Sequence, residues 1–176
     1  MLHRLSFLVS QLLADGEALA RSVSWPVLVW EAAPSQPVPV PQLNRATLSG
    51  LRLQPRPVEP VVYELRPRLP GGDGRAVTVG RGLECDIVLS EPTVSRMHAR
   101  FRQEPHTGVW SVTDLESHNG TYVEGVLIVP GRPAPLFRNA TLRLGSVEVR
   151  FFQAEAFTQY VRTHSLPPPV RLTPGR

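Results

Sequence analysis

His98-Ala99-Arg100-Phe101-Arg102-Gln103 alternates small or aromatic residues with arginines along its length. A period of two places Ala99 and Phe101 on one face of a strand and Arg100 and Arg102 on the other, so the stretch reads as a half-buried strand whose core side can be named. Outward from it the same reading applies at 61–66, 77–79, 86–89, 109–114, 121–123, 126–128, 140–144 and 147–152. These stretches are separated by Gly, Asp, Asn, Ser or Pro. Short strands at this spacing predict an all-β fold, a sandwich or a barrel.

The length, 176 residues, corresponds to one ordinary domain with extensions. Nineteen prolines are unevenly spread: ten lie in 26–70, two in 71–129, three in 130–135 and four in 167–174. Their distribution brackets a Pro-poor β region between a Pro-rich arm and a Pro-rich tail. The chain divides into an N-terminal unit 1–24, an arm or linker 25–60, the β region 61–153, and a segment 154–176 that opens with a short helix over 154–164. Pro37-Val38-Pro39-Val40-Pro41 and Pro167-Pro168-Pro169 are the densest proline runs. Within the first unit, Leu5, Leu8, Val9, Leu12, Leu13 and Leu19 recur at helical spacing ahead of Pro26. This predicts a short amphipathic helix that packs on the rest of the chain or meets a second partner.

Ser6, Ser10, Gln11, Asp15 and Glu17 argue against a signal peptide in that helix. No apolar run approaches the ~20 residues that cross a bilayer. The single cysteine, Cys85, excludes an intramolecular disulfide framework and suits a reducing compartment, so a cytoplasmic location is expected. All basic residues are Arg, and the formal net charge is +4. Residues 61–152 hold eleven arginines and ten acids, so the β region is nearly neutral and the excess lies outside it. A nucleic-acid binder would carry a concentrated basic stripe, which is missing here. Gly71-Gly72-Asp73-Gly74 reads as a turn between strands with no helix after it, which argues against a nucleotide phosphate loop.

Three polar clusters sit where the chain leaves strands: Gly80-Arg81, Ser95-Arg96-Met97-His98, and Ser117-His118-Asn119-Gly120-Thr121. Together with Asp86-Ile87-Val88-Leu89 and Asp114-Leu115-Glu116 they resemble, in order and spacing, the forkhead-associated family of phosphopeptide-binding domains. The resemblance covers about 61–152. It implies a β-sandwich of two twisted sheets whose loops at one end hold a phosphothreonine of another protein.

On that resemblance Arg81, Ser95, Arg96, His118 and Asn119 are the expected phosphopeptide ligands. Gly80, His98, Gly120 and Thr121 are the expected supports. The chemistry of these residue types suits the task. Arg81 supplies a permanently charged fork for a phosphate dianion, Ser95 an uncharged hydroxyl donor, and Arg96 a second cation. Asn119 offers both a donor and an acceptor to an extended peptide backbone. His98 is implied to support the Ser95 loop rather than to touch phosphate.

Two positions depart from the family pattern. His118 stands where Ser or Thr is common, and a protonated imidazole there would make affinity rise as pH falls toward 6. Glu124-Gly125 stands where Asn-Gly is common, and Glu tolerates positive φ poorly, so a different hairpin turn is expected.

Ser95 and His98 lack the carboxylate and nucleophile elbow of a hydrolase. The five histidines and Cys85 show no metal-ligand spacing, so neither an enzyme, a metal nor a cofactor is expected. Trp25, Trp30 and Trp110 read as core or arm-docking anchors. The expected function is a non-enzymatic adaptor in Ser/Thr-kinase signalling, bound to a threonine-phosphorylated kinase or kinase substrate. The alternative is an assembly subunit using the same fold without phosphate. A third reading places Thr47, once phosphorylated, in the pocket in cis.

Overall fold

The computed structural model describes residues 2–14, 23–31, 59–66 and 76–165. They form two β-sheets and two helices. In chain order the elements are β1 (Leu2–Arg4), α1 (Leu5–Ala14), β2 (Val27–Trp30), β3 (Val61–Glu64), β4 (Ala76–Gly80), β5 (Ile87–Val88) and β6 (Ala99–Gln103). There follow β7 (Trp110–Asp114), β8 (Thr121–Val123), β9 (Val126–Leu127), β10 (Pro133–Leu136), β11 (Asn139–Leu144), β12 (Val147–Phe152) and α2 (Ala154–Ser165). One sheet runs β1-β3-β2-β12-β11-β8-β9 and the other β10-β7-β6-β4-β5. All pairs are antiparallel except β4 with β5.

The two sheets close on a core built by period-two alternation. Ala99 and Phe101 of β6 are buried while Arg100 and Arg102 are exposed, as their spacing requires. Opposite them, Leu142 and Leu144 of β11 and Val149 and Phe151 of β12 fill the same core. Trp30 and Trp110 also lie in this core, and Trp25 is half-buried.

A second apolar layer covers the outer face of the seven-stranded sheet. There Leu8 of α1 and Phe157, Tyr160 and Val161 of α2 pack on Val27, Val29, Val62 and Phe152. The expected packing of the N-terminal helix on the rest of the chain is therefore present through Leu8. Leu19 of the expected helix lies outside the described residues, as do the proline runs 37–41 and 167–169, the turn 71–74 and Thr47.

Three strands lie where none was expected, the first being β1 at the start of the stretch expected as a helix. β2 falls inside the stretch 25–60 expected as a Pro-rich arm, yet it sits between β3 and β12 near the middle of its sheet. That expectation is corrected for 27–30, and residues 32–58 lie outside the described residues. All four β2 residues are buried, with Leu28 and Trp30 in the inter-sheet core and Val27 and Val29 under the helices. A strand covered on both faces shows a continuous apolar run rather than alternation. β10 carries Pro133 and Pro135, but it is an edge strand paired only with β7. Its prolines lack the N–H that a further strand would need, so they blunt this edge.

The β8–β9 turn also differs from expectation. Glu124 and Gly125 have φ of 49° and 79°, the double positive φ that a type I′ hairpin requires. Glu124 is held there because its N–H donates to Thr141 O at 2.8 Å. Its carboxylate also accepts the Thr141 N–H at 2.6 Å.

Candidate functional site

At one end of the sandwich three segments leave the sheets: 81–86 after β4, 89–98 between β5 and β6, and 115–120 between β7 and β8. The first two are tied by their backbones. Arg81 N–H donates to Ser95 O and Gly82 N–H to Arg96 O, both at 3.0 Å. Gly80 makes this approach possible, because a Cβ there would overlap the Arg96 carbonyl oxygen. Below, the Thr78 hydroxyl and N–H each donate to Asp86 Oδ2 at 2.8 Å, and Asp86 N–H donates back to Thr78 Oγ1 at 3.1 Å. The buried Cys85 thiol donates to Arg96 O at 3.1 Å. Arg81 and Arg96 thus project from adjoining turns, both exposed. Among the described residues no carboxylate forms an ion pair with either.

His98 is fully buried and joins the second segment to the third. Its Nδ1 accepts the Ser95 N–H at 3.0 Å, which leaves Nε2 to carry the proton toward Gly120 O at 3.2 Å. Burial pushes this imidazole below its ordinary value of 6.5, against the opposing pull of the Gly120 carbonyl and of Asp114. The neutral ring is what the two hydrogen bonds require. The Ser95 hydroxyl accepts the His118 N–H at 3.0 Å. Its own hydrogen is left to donate outward.

Asp114 organises the third segment from inside. Its carboxylate accepts the Ser117 N–H at 2.9 Å, the Ser117 hydroxyl at 2.6 Å and the Thr121 hydroxyl at 2.6 Å. Burial would raise its pKa, but these three donors, with His98 nearby, hold it below the usual carboxylate range. Gly120 turns with φ of 74°. Its carbonyl also accepts the Gly145 N–H at 3.1 Å. Asn119 donates one amide hydrogen to Thr93 O at 2.8 Å and keeps its second hydrogen and its carbonyl. Thr93 is itself clamped: its hydroxyl meets Ser146 Oγ at 2.7 Å and accepts Ser146 N–H at 3.0 Å.

The structure therefore brings Arg81, Ser95, Arg96, His118 and Asn119 to one end, and Gly80, His98, Gly120 and Thr121 beneath or between them. The His118 side chain is exposed. Reasoning from sequence did not assign roles to Asp114, Ser117, Thr93 or Ser146. For the first pair a signal exists, since Asp followed three residues later by Ser suits a local side-chain-to-backbone turn. Thr93 and Ser146 are 53 residues apart, and no local pattern reports their meeting. The whole end can receive an anion: two unpaired guanidinium groups, one free hydroxyl donor and an amide, with no metal-ligand cluster among the described residues.

Residues 77–145 match the family model of the FHA domain. The oxoglutarate dehydrogenase inhibitor of Corynebacterium diphtheriae is 49% identical over 51 residues, which is 29% of this chain and 34% of that protein. The glycogen accumulation regulator GarA of Mycolicibacterium smegmatis is 47% identical over 51 residues, 29% of this chain and 31% of that protein. The chain thus spans about a third of these relatives, and 5% of the FHA domain-containing protein PS1 of Arabidopsis thaliana, which is 36% identical over 69 residues. Among solved structures, the MEK1 FHA domain in complex with a HOP1 phosphothreonine peptide is similar at 26% identity and a TM-score of 0.43, over 52% of this chain and 87% of that one. Among the described residues no helix is long and apolar enough to cross a membrane.

Proposed function

Residues 77–145 form an FHA domain, and from that premise we propose that this chain is a non-enzymatic adaptor that binds a threonine-phosphorylated protein, a Ser/Thr kinase or its substrate. The carrying observation is the pairing of the 81–82 and 95–96 backbones. It sets two exposed, unpaired guanidinium groups beside a Ser95 hydroxyl whose acceptor side is already occupied by His118 N–H. Such a set offers charge-assisted donors to a phosphate dianion. Arg81 and Arg96 carry the charge, Ser95 adds a neutral donor, and Asn119 holds the peptide backbone. The exposed His118 lies at the rim. The set is made of cations and hydrogen-bond donors, which supports recognition as its role.

Charge-assisted hydrogen bonds contribute about 1.5–3 kcal/mol each before ordering costs, which places the affinity near the micromolar range, about −8 kcal/mol. Calorimetry of the chain with phosphothreonine peptides selected from a random pool tests the assignment. Arg81→Ala is expected to weaken binding more than about ten-fold while leaving the unfolding midpoint unchanged. A folded Arg81→Ala protein with wild-type affinity would overturn it. So would binding that survives phosphatase treatment of the partner, which would favour a phosphate-independent assembly role.

A further inference from the structure

The two outer faces of the sandwich differ. The seven-stranded sheet carries the apolar layer of α1 and α2, and the five-stranded sheet has no such layer among the described residues. Because Val77, Phe101, Val112 and Leu136 face the core, the alternate residues of β4, β6, β7 and β10 face outward. The register sets these in two rows: Thr78, Arg100, Thr113 and Pro133 in one, Ala76, Arg102, Ser111 and Pro135 in the other. Short hydroxyl residues therefore lie between a column of arginines and a column of prolines. The result is a trough of about 620 Å³. Its floor is sunk, since Thr113 is only 9% exposed while both arginines and both prolines are exposed.

A polar outer face is by itself ordinary on an antiparallel sheet. This one differs in its charge pairing. Cross-strand neighbours of opposite charge stabilise a solvated face, yet Thr78 and Thr113 stand opposite Arg100, and Ala76 and Ser111 opposite Arg102. The one acid that lines the trough, Glu104, lies past the end of β6. Arg100 and Arg102 are two residues apart on one strand, a repeat of about 6.6 Å. An extended chain presents its own residues i and i+2 on one side at the same repeat. The arginine and proline columns are two strand spacings apart, about 10 Å, which is room for one extended chain with its side chains.

The geometry and charge call for carboxylates, and the rest of this chain is poorly suited to supply them. Residues 32–58 hold three arginines and 166–176 two, with no acid in either segment. Asp15 and Glu17 are spaced two apart but follow α1, which packs on the opposite outer face. A second copy docked by the same face would set arginines against arginines. No aromatic residue lines the trough, so a nucleic acid would find no base-stacking platform there.

We propose that this trough is a second docking surface, which binds an extended acidic segment of a partner protein with carboxylates at alternate positions on Arg100 and Arg102. Glu104 excludes a further acid at its own end. The surface needs no phosphate and no contribution from Arg81.

The full chain, labelled with ¹⁵N, is titrated at low salt with three phosphate-free peptides: one with two glutamates separated by a single residue, an isomer with the two adjacent, and a counterpart with glutamine at both places. The first is expected to bind at least three-fold tighter than either other, with amide shifts centred on β6 and β7. Exposed ion pairs are individually weak, so Arg100→Gln and Arg102→Gln should each weaken that binding about three-fold and the double variant about ten-fold. Arg81→Ala should leave it unchanged. Equal binding of the three peptides, or wild-type affinity in the double variant, overturns the trough. So does binding that Arg81→Ala abolishes, which would place the carboxylates in the phosphate site. Tighter binding in an Asp15→Asn, Glu17→Gln protein would make the occupant a segment of this chain, and a wild-type dimer that the double variant dissolves would make it a second copy. Preference for a single-stranded oligonucleotide over the first peptide, lost in the double variant, would make it a nucleic acid. Each of these three results overturns the acidic partner, and none of them bears on the phosphothreonine reading.

Discussion

Replacing His98 tests whether a buried ring, rather than the exposed ligands, sets the shape of the site. In the folded chain its Nδ1 accepts the Ser95 N–H and its Nε2 donates to Gly120 O. His98→Ala leaves the Ser95 N–H without a partner in the interior, at about 1–3 kcal/mol. The Gly120 carbonyl suffers less, because it still accepts the Gly145 N–H. Removing the ring adds a cavity term of about 2 kcal/mol. The expected total is about 3–5 kcal/mol, a large share of the roughly 5–15 kcal/mol that a domain has. His98→Asn keeps an acceptor near the Nδ1 position and should lose about half as much.

Urea unfolding of the three proteins, with midpoints compared at unchanged slope, gives these differences directly. Burial holds folded His98 below 6.5, so between its folded value and 6.5 the unfolded chain binds the additional proton. Its contribution is therefore complete above about pH 6.5, declines as pH falls toward the folded value, and levels off below it. Asp114 is depressed from 3.8, so its loss falls in a separate, more acid window. A His98→Ala protein within about 1 kcal/mol of wild type would refute the reasoning. So would a stability curve between pH 7 and 5 with the same slope in wild type and His98→Asn.

Gly80→Ala should push apart the two turns that carry Arg81 and Arg96, costing about 1–3 kcal/mol of stability and at least ten-fold in phosphopeptide affinity. Calorimetry and thermal unfolding check both, and wild-type values in each would show that the close approach is dispensable. Phe157→Ala removes a fully buried ring whose centroid lies 6.1 Å from those of Phe152 and Tyr160. It should destabilise by about 3–5 kcal/mol. Because this layer lies on the outer face of the seven-stranded sheet, the affinity of the folded fraction should stay within about two-fold, and a larger change would link the helices to the site.

What the sequence disclosed follows from how each element is covered. β6 is half-buried, so the alternation of Ala99 and Phe101 with Arg100 and Arg102 names its faces without any structure. β2 is covered on both sides, by the opposing sheet and by the helices, so its Val-Leu-Val-Trp run carries no period and sits unnoticed among prolines. β10 looks like a loop because two of its four residues are proline, and only its place at an edge makes it a strand. At the site, the ligand residues stand out as polar residues at strand ends. The groups that position them meet across long separations, as Asn119 does with Thr93 and Thr93 with Ser146. Conformational preference alone misplaces the Glu124 turn, because Thr141, which holds it, lies in another strand.

The place of β2 also bears on how the chain is made. Val29 pairs with Arg150, 121 residues later. At synthesis rates of roughly 5–20 residues per second, β2 waits on the order of 6–24 seconds for that partner to be translated. During that interval β2 lacks the neighbouring strand that β12 will provide. This sheet is therefore completed late, and a nascent chain halted before β12 should be the form that chaperones hold and proteases remove.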